Sequence, residues 1–224
     1  MSHKNSIAII GMSGLFPGSS TLKEFYNNLR EGKDCVSVPS DERLQSSTME
    51  MSKNYKPVGF LDRVDLFDNS FFNISKKDAC FMDPSHRLLL ELSVKAIENA
   101  GYSLESLSGS NTSVFLGMKD SSYSSFIDKT DVSTITGNIN AMAAGKISYY
   151  LNLQGPSMVL DTACSSSLVA IHEGCQSILN EECEFSLCGA MRLIHEFATV
   201  SSVDNLGITS SDGRTRSFDS NSSG

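Results

Sequence analysis

The chain has 224 residues, of which 40% are hydrophobic and 20% are charged, and its formal net charge at pH 7 is -8. This length allows one domain with a substantial core, and the acidic balance disfavours non-specific binding to nucleic acid. The apolar stretches are too short to span a membrane, and the six cysteines lack zinc-site spacing. We therefore expect a cytoplasmic protein with reduced thiols and no metal.

The first third of the chain predicts one strand, one helix and an irregular excursion. The apolar run at residues 6–10 predicts a fully buried strand. Thr21 and Glu24 form a capping box, which predicts a helix that ends near Arg30. Residues 33–74 predict an irregular segment with short helices, whose aromatic side chains need burial against the body of the protein.

The remainder of the chain alternates between strand and helix signals. Asp83 and Pro84 are typical of a helix N-terminus, and Gly101 is typical of its C-terminus. The other predicted elements are strands at residues 112–117, 158–160 and 184–189, helices at 138–151 and 165–179, and a polar loop at 121–131. This alternation predicts an α/β domain with a mixed, mainly parallel sheet.

The segment at residues 161–167, DTACSSS, carries the clearest chemical signal. It joins a predicted buried strand to a predicted helix, so it places the sulfur of Cys164 near a helix N-terminus. Backbone N–H groups and the helix dipole favour a thiolate there, and the same N–H groups can bind an oxyanion. The geometry predicts acyl transfer through a thioester on Cys164.

Two other interpretations of these residues stay open. A lone cysteine in an apolar context is often a small buried hydrophobe, although the small side chains around Cys164 leave room for a substrate. Asp161 is better suited to hold the turn through backbone amides than to act as a catalytic carboxylate. The following helix carries an apolar stripe, which we expect to be core. The stripe consists of Leu168, Ile171, Cys175 and Ile178.

Residues 161–168, DTACSSSL, resemble the active-site signature of β-ketoacyl synthases, most closely the ketosynthase domains of modular type I polyketide synthases. Similar segments follow the family in order: IAIIGM (7–12), FPG (16–18), GFL (59–61), VDLFD (64–68), FFNIS (71–75), MDP (82–84), RLLLE (87–91), TGN (136–138), AGKISY (144–149), GPS (155–157), SDGR (211–214) and FD (218–219). The resemblance covers nearly the whole chain.

The resemblance implies a thiolase-like α/β fold, built from layers in the order αβαβα. Residues 1–224 correspond to the first half of a ketosynthase domain, with insertions. The family's catalytic histidines lie in a His-Gly-Thr-Gly-Thr motif and an Asn-Ile-Gly-His motif of the second half, and neither motif occurs here. His3, His86, His172 and His195 are expected to be surface or packing residues.

The activity that the resemblance implies is decarboxylative Claisen condensation. Cys164 accepts an acyl chain from the 4'-phosphopantetheine arm of an acyl carrier protein, and its backbone N–H contributes to the oxyanion hole. A malonyl-type extender then attacks the acyl-enzyme. Asn138 and Met142 match a segment near the family's dimer interface and acyl tunnel, so they are candidate substrate contacts. The expected partners are the carrier protein, a second copy in a homodimer and other polyketide synthase domains, with no bound cofactor.

Two alternatives to a condensing enzyme remain. Without the second half, the 224-residue chain is expected to be inactive in condensation. It could serve as a non-catalytic split subunit or a docking partner. A cysteine hydrolase is the third hypothesis, and it needs a histidine beside the thiol and a path for water.

Overall fold

The computed structural model describes residues 6–45, 57–121, 123–127, 131–194, 210 and 214–223. The chain divides into two compact units. The first unit comprises Met1–Ser13 and Phe67–Arg192, and the second comprises Gly14–Leu66 and Leu193–Gly224. Cys164 therefore belongs to the first unit.

A parallel three-stranded sheet forms the centre of the first unit. Its middle strand is β1 (Thr112–Met118), which pairs with β2 (Ser157–Leu160) on one side and β3 (Phe185–Met191) on the other. Every residue of β1 is buried, as is usual for a parallel strand that is covered on both faces. Three of the four predicted strands and the mainly parallel sheet are confirmed, with strand ends that differ by one or two residues.

The described residues contain eight α-helices. They are α1 (Leu22–Arg30), α2 (Asp41–Gln45), α3 (Lys76–Phe81), α4 (Pro84–Asn99), α5 (Leu104–Leu107), α6 (Val132–Asn138), α7 (Ala141–Leu151) and α8 (Ser166–Leu179). Helices α7 and α8 pack against β1, and α4 packs against α7 and β3. None of the helices in the described ranges has both the length and the apolarity that crossing a bilayer requires.

The core of the first unit lies between the sheet and these helices. Leu90 and Ile97 of α4 meet Ala144 and Ile147 of α7 in one buried cluster that also contains Val114 of β1. Burial of such aliphatic side chains contributes roughly 1.5–3 kcal/mol each, so this cluster fixes the packing of α4 and α7. The packing in turn holds the sheet that carries the candidate site.

The ends of α4 follow the predicted signals. The Asp83 side chain accepts a hydrogen bond from the Ser85 N–H at 2.6 Å, and Pro84 occupies the first turn. Gly101, with φ of 81°, follows the last turn in the left-handed region that glycine adopts without strain. The predicted helix over this segment is confirmed.

The second unit holds the predicted capping box. The Thr21 hydroxyl accepts from the Glu24 N–H at 3.2 Å, which begins α1. The Glu24 carboxylate accepts from the Ser20 N–H at 2.7 Å. Phe16 stacks on Phe25 of α1, with ring centroids 3.9 Å apart. The prediction of this helix is confirmed.

The aromatic residues of the predicted excursion differ in burial. Phe60 is buried in the second unit, and Phe72 is buried in the first, where Phe67 stacks on it with ring centroids 5.3 Å apart. Phe71 is exposed, and its ring packs against Phe72 in a T-shaped arrangement with ring centroids 4.9 Å apart. The expectation of burial therefore holds for Phe60 and Phe72 and is wrong for Phe71. Residues 46–56 of the excursion lie outside the described residues.

The buried strand predicted at residues 6–10 is not present. These residues have no regular secondary structure, and the side chain of Ile9 is 79% exposed. The chain then runs along α4, where Gly11 packs against the carbonyl of Ala96. Because β1 and β3 pair directly over their whole length, the sheet has no gap between them that this apolar run could fill.

The helix predicted at residues 138–151 is confirmed as α7 but starts later, at Ala141, and it is preceded by α6, which the sequence did not predict. α6 ends at Asn138 and α7 starts at Ala141, because Ile139 has an extended backbone with ψ of 118°. The start of α6 falls just after the predicted polar loop, and the Asp131 side chain caps it by accepting from the Ser133 N–H at 2.9 Å. Aspartate is a common N-cap residue, so Asp131 carries a helix signal at the end of the predicted loop.

Candidate active site

Cys164 lies in the connection between β2 and α8. A short 3₁₀ turn, Ala163–Ser165, separates the strand from the helix. The side chain of Cys164 is an exposed free thiol, as is required for a thiol that meets a substrate. The interpretation of Cys164 as a buried hydrophobe is therefore wrong. The prediction that the preceding strand is buried is wrong: Ser157 and Met158 of β2 are exposed and Val159 and Leu160 are half-buried, because β2 is the edge strand of the described sheet.

The residue before Cys164 has a strained backbone. Ala163 has φ of 56°, which an L-residue adopts at a cost of about 1–2 kcal/mol. The Asp161 carboxylate accepts a hydrogen bond from the Ala163 N–H at 2.9 Å. The prediction that Asp161 holds the turn through a backbone amide is confirmed.

Two serine hydroxyls complete the turn. Ser165 Oγ donates to the Thr162 carbonyl at 2.8 Å and lies 2.9 Å from the Thr162 hydroxyl. Ser166 Oγ donates to the Ala163 carbonyl at 2.7 Å and accepts from the Thr162 N–H at 2.9 Å. The small side chains of the motif therefore supply hydrogen bonds to the turn as well as space around the thiol.

The N-terminus of α8 lies directly on β1 at Gly117. A Cβ atom added at Gly117 would be 2.7 Å from the carbonyl carbon and oxygen of Ser166 and 2.9 Å from the Ser167 N. Only a residue without a side chain allows this approach. Gly117 was predicted only as part of the strand, and the signal for its role is a glycine in an otherwise apolar buried strand.

The apolar stripe predicted to be core lies partly on the surface. Leu168 is 71% exposed and Ile171 is 47% exposed, so the prediction is wrong for these two residues, whereas Cys175 and Ile178 are half-buried. The side of α8 that is buried carries Ala170, Gly174 and Ser177 instead, and a Cβ at Gly174 would overlap Ser186 of β3. Small residues allow the helix to approach the sheet closely, which turns the larger residues outward.

Asn138 and Met142 differ in their surroundings. The amide nitrogen of Asn138 donates to the carbonyls of Phe81 and Thr134 at 2.8 and 2.6 Å, so it joins α6 to the end of α3. Its Oδ1 is buried, and no described residue forms a hydrogen bond with it. Met142 lies on α7 and is exposed.

The histidines have the packing and surface positions that were expected, where the structure describes them. His86 is 1% exposed at the start of α4, and His172 lies on the surface of α8. His3 and His195 lie outside the described residues. Among the residues that the structure describes, no group of three His, Cys, Asp or Glu side chains is placed to hold a metal ion.

His86 forms a buried pair with Lys146 of α7. Lys146 Nζ lies 3.0 Å from His86 Nδ1 and donates to the Thr136 carbonyl at 2.7 Å. Burial lowers the pKa of His86 to about 4, with a further decrease from the Lys146 charge that Asp83 partly offsets. Burial also lowers the pKa of Lys146 to about 8. The pair connects α4 to the chain segment that leads into Asn138.

Comparison with known proteins decides the family. The sequence matches the family described as beta-ketoacyl synthase, N-terminal domain, over residues 4–224. The chain belongs to the β-ketoacyl synthase family. Cys164 and its turn lie inside the matched range, which includes all of the described α/β unit around the sheet.

Curated relatives of this ketosynthase chain are polyketide synthases. It is 41% identical over 230 residues to polyketide synthase PksN of Bacillus subtilis strain 168, which covers 97% of this chain and 4% of PksN. It is 38% identical over 226 residues to polyketide synthase ThaG of Burkholderia thailandensis, which covers 96% of this chain and 4% of ThaG. The chain thus spans a small fraction of the length of these relatives.

Solved ketosynthase structures show the same fold. The ketosynthase from module 6 of the bacillaene synthase from Bacillus subtilis 168 matches with a TM-score of 0.79 and 34% identity, covering 92% of this chain and 35% of that one. The oxazolomycin ketosynthase domain OzmH KS7 of Streptomyces albus JA3453 matches with a TM-score of 0.83 and 33% identity, covering 97% and 39%. The predicted thiolase-like α/β fold is confirmed, and the chain spans little more than a third of each solved chain.

Proposed function

We propose that this chain supplies the nucleophile of a polyketide ketosynthase, an acyltransferase that lengthens an acyl chain by decarboxylative Claisen condensation. The observation that carries the proposal is the exposed Cys164 thiol in a strained turn between a parallel strand and a helix. Membership of the β-ketoacyl synthase family gives that thiol its reaction class.

The first step is transfer of an acyl group to Cys164. The thiolate attacks the carbonyl carbon of an acyl thioester that is carried on the 4'-phosphopantetheine of an acyl carrier protein. The carbonyl oxygen becomes an oxyanion, which accepts a hydrogen bond from the backbone N–H of Cys164. When the oxyanion collapses, the carrier thiolate leaves, takes up a proton and releases an acyl-enzyme thioester.

The second step forms the carbon–carbon bond. A malonyl-type thioester on the carrier loses carbon dioxide, and the electron pair of the broken bond becomes an enolate. The enolate carbon attacks the acyl group on Cys164 and expels the Cys164 thiolate, which gives a β-ketoacyl thioester. The histidines that assist decarboxylation belong to the two family motifs that residues 1–224 lack, so we expect them from the remainder of a ketosynthase domain.

The finer assignments are supported to different degrees. Met142 is exposed and can contact an acyl chain, whereas the Asn138 amide already joins α6 to α3. We propose Met142 as a substrate contact and Asn138 as a residue that shapes the same segment, whose Oδ1 accepts a hydrogen bond only after local movement. The homodimer, the association with other polyketide synthase domains and the cytoplasmic location stay predictions.

Reconstitution tests the proposed activity. The purified chain is mixed with a separately expressed ketosynthase C-terminal half that contains both histidine motifs, together with acyl and malonyl carrier proteins. We expect β-ketoacyl product from the mixture, none from either half alone, and none from a mixture with Cys164→Ala. Product that persists with Cys164→Ala would contradict the proposal.

A non-catalytic docking role is the second candidate. The exposed Leu168 and Ile171 on α8 favour it, because an apolar helix face can bind a partner without any chemistry at Cys164. The same mixture separates the two functions. A stable complex of the two halves without turnover would support docking alone, and it would rule out the condensing function under those conditions.

A further inference from the structure

The hydroxyl of Ser166 connects the two residues that precede Cys164. We propose that Ser166 is a positioning residue for Cys164, which it serves by fixing the orientation of the peptide group between Ala163 and Cys164. The inference rests on the proposed acyl transfer, because that reaction uses the N–H of this peptide group. It assigns to Ser166 a role that is separate from helix formation.

The geometry of the bridge is specific. Ser166 is the first residue of α8 and is 7% exposed. Its Oγ accepts from the Thr162 N–H at 2.9 Å and donates to the Ala163 carbonyl at 2.7 Å. One hydroxyl thus holds the chain on the N-terminal side of Cys164 at two consecutive residues, and burial keeps water from competing for either bond.

Peptide planarity carries the effect to the nucleophile. The Ala163 carbonyl and the Cys164 N–H belong to the same trans peptide group, so they point in opposite directions and turn together. A hydrogen bond that fixes the carbonyl therefore also fixes the direction of the N–H. Accepting this bond also polarises the peptide group and makes its N–H a better donor. This N–H is the proposed donor to the oxyanion.

The left-handed backbone of Ala163 explains why such a bridge is needed. With φ of 56°, Ala163 occupies a minor region of conformational space and relaxes unless its surroundings hold it. The Asp161 carboxylate holds the Ala163 N–H, and Ser166 holds the Ala163 carbonyl through both its hydroxyl and its backbone N–H, of which Ser166→Ala removes only the hydroxyl bond. The contact of Gly117 with the Ser166 backbone fixes the first turn of α8 on β1, and it therefore also fixes the position of the Ser166 hydroxyl.

Ser165 is a matched control within the same turn. Its hydroxyl also makes two hydrogen bonds, but both go to Thr162 and neither goes to the peptide group of Cys164. Ser165 is exposed, so loss of its hydroxyl leaves no buried group without a partner. Ser165→Ala and Ser166→Ala therefore remove the same atoms from adjacent positions, with different consequences for the Cys164 N–H.

The test compares two reactions of Cys164 in the 224-residue chain, followed by mass spectrometry of the Cys164 peptide. Acyl transfer from an N-acetylcysteamine thioester forms an oxyanion, whereas alkylation by iodoacetamide does not. For Ser166→Ala we expect acyl transfer to slow by at least about fivefold, the value of one neutral hydrogen bond. The alkylation rate should change by less than about twofold, which corresponds to a smaller free energy than that of one hydrogen bond. Ser165→Ala should leave the ratio of the acylation rate to the alkylation rate unchanged. Ser166→Thr keeps the hydroxyl, so its ratio should equal that of the wild-type chain.

Equal slowing of both reactions in Ser166→Ala, or the same change in Ser165→Ala, would overturn the positioning role and leave the proposed function intact. Thermal melting is measured first, and if Ser166→Thr does not fold, the comparison of the two alanine variants decides. Amide hydrogen exchange at Thr162 provides a readout that needs no acyl transfer. If the Thr162 amide exchanged as fast in the wild-type chain as in Ser166→Ala, the bridge would be absent. If this amide were protected in the wild-type chain but Cys164 were never acylated, the proposed function would be refuted, and with it the role of Ser166 in acyl transfer.

Discussion

Ala163 holds a backbone conformation that is more costly for alanine than for glycine. Its φ of 56° lies in the left-handed region, where the Cβ atom crowds the backbone. Three hydrogen bonds keep it there: its N–H donates to Asp161, and its carbonyl accepts from the hydroxyl and from the backbone N–H of Ser166. The strain is localised at the residue that orients the nucleophile, as is common at functional sites.

Replacing Ala163 by glycine should raise the free energy of unfolding. Relief of the strain exceeds the greater chain entropy of glycine, so we expect a gain of about 0.5–1 kcal/mol. Urea unfolding followed by circular dichroism measures the change. The matched control is Ala141→Gly on the exposed first turn of α7, which should lose about 0.5–1 kcal/mol because the backbone there is helical. A loss of stability in both variants would show that Ala163 is not strained.

His86 makes the stability of the fold sensitive to pH. Its Nδ1 lies 3.0 Å from the Lys146 ammonium and accepts from it, so the ring proton is on Nε2, which is buried without a partner. A second proton would place two cations side by side in a buried site. The neighbouring Asp83 carboxylate opposes this effect only in part, and the pKa of His86 is lowered to about 4.

This pKa predicts a loss of stability on mild acidification. Between pH 6.5, the ordinary pKa of histidine, and pH 4 the unfolded chain binds more protons at His86 than the folded chain does. The free energy of unfolding therefore falls as the pH falls, by about 1 kcal/mol between pH 7 and 5.5. His86→Gln should remove this part of the slope, and exposed His172→Gln should keep it. Equal slopes in urea unfolding for all three proteins would contradict the pairing.

At the residue scale, the reactive residue could be predicted from the sequence, whereas part of the hydrogen bonding that positions it could not. Cys164 and Asp161 were identified because a thiol at a helix start and a carboxylate near a turn have recognisable roles. The bridging hydroxyl of Ser166 was not, since three consecutive serines look alike until the direction of each side chain is known.

At the scale of elements, the contact between α8 and β1 decides where the nucleophile turn lies. Gly117 permits it, because a Cβ there would be 2.7 Å from the Ser166 carbonyl carbon. Gly117→Ala should push the start of α8 away from the sheet and cost about 1–3 kcal/mol. We also expect slower acylation of Cys164, because the first turn of the helix moves with Ser166.

Gly145 provides the control for this substitution. It lies in the middle of α7, and apart from its chain neighbours and the backbone of its own helix, no atom of the described residues is within 4 Å of the position that its Cβ would take. Gly145→Ala should therefore stabilise the chain by about 0.5–1 kcal/mol through helix propensity. Thermal melting of both variants measures the pair of effects. If Gly117→Ala were as stable as Gly145→Ala, the close approach of α8 to β1 would be refuted.

The elements that the sequence predicted well are those with strong local signals at both ends. α4 has a capping aspartate, a proline and a terminal glycine, and its ends were found from them. α6 was missed, and the start of α7 was predicted three residues too early, because the turn between them depends on the Asn138 side chain reaching Phe81, which lies far away in sequence. The absence of a strand at residues 6–10 depends likewise on which strands pair with each other.

At the scale of the whole molecule, the outer face of α8 is apolar and exposed. Leu168 is 71% exposed on the helix that follows the nucleophile, and the chain covers only 35% of a solved ketosynthase chain. The sequence predicted that these residues are core because the stripe has helical spacing. Periodicity gives the direction of an apolar face, but it does not show whether the covering residues belong to the same segment.

Leu168→Asp tests this interpretation. On an exposed position the substitution should change the free energy of unfolding by less than about 0.5 kcal/mol. If the face meets the rest of a ketosynthase domain, the buried carboxylate should weaken association of the two halves at least tenfold, since an unpaired buried charge is costly. Isothermal titration calorimetry measures the association, with Leu168→Met as the control. Unchanged affinity would show that another surface joins the halves.

The fold class could be predicted from the sequence because the strand and helix signals alternate over most of the chain. The family could be predicted from one octapeptide and the ordered segments around it. The arrangement of the site could not, because the distances between Gly117, Ala163 and Ser166 arise from a parallel sheet whose strands are dozens of residues apart in sequence.

The most direct test of a nucleophilic Cys164 is to locate the acyl group after incubation with an acyl thioester. The exposed free thiol of Cys80 is an internal reference in the same chain. Peptide mapping by mass spectrometry should find the acyl group on Cys164 at least ten times faster than on Cys80, the difference expected from about 1.4 kcal/mol of oxyanion stabilisation. Equal rates at the two cysteines, or acylation of Cys80 alone, would contradict the account.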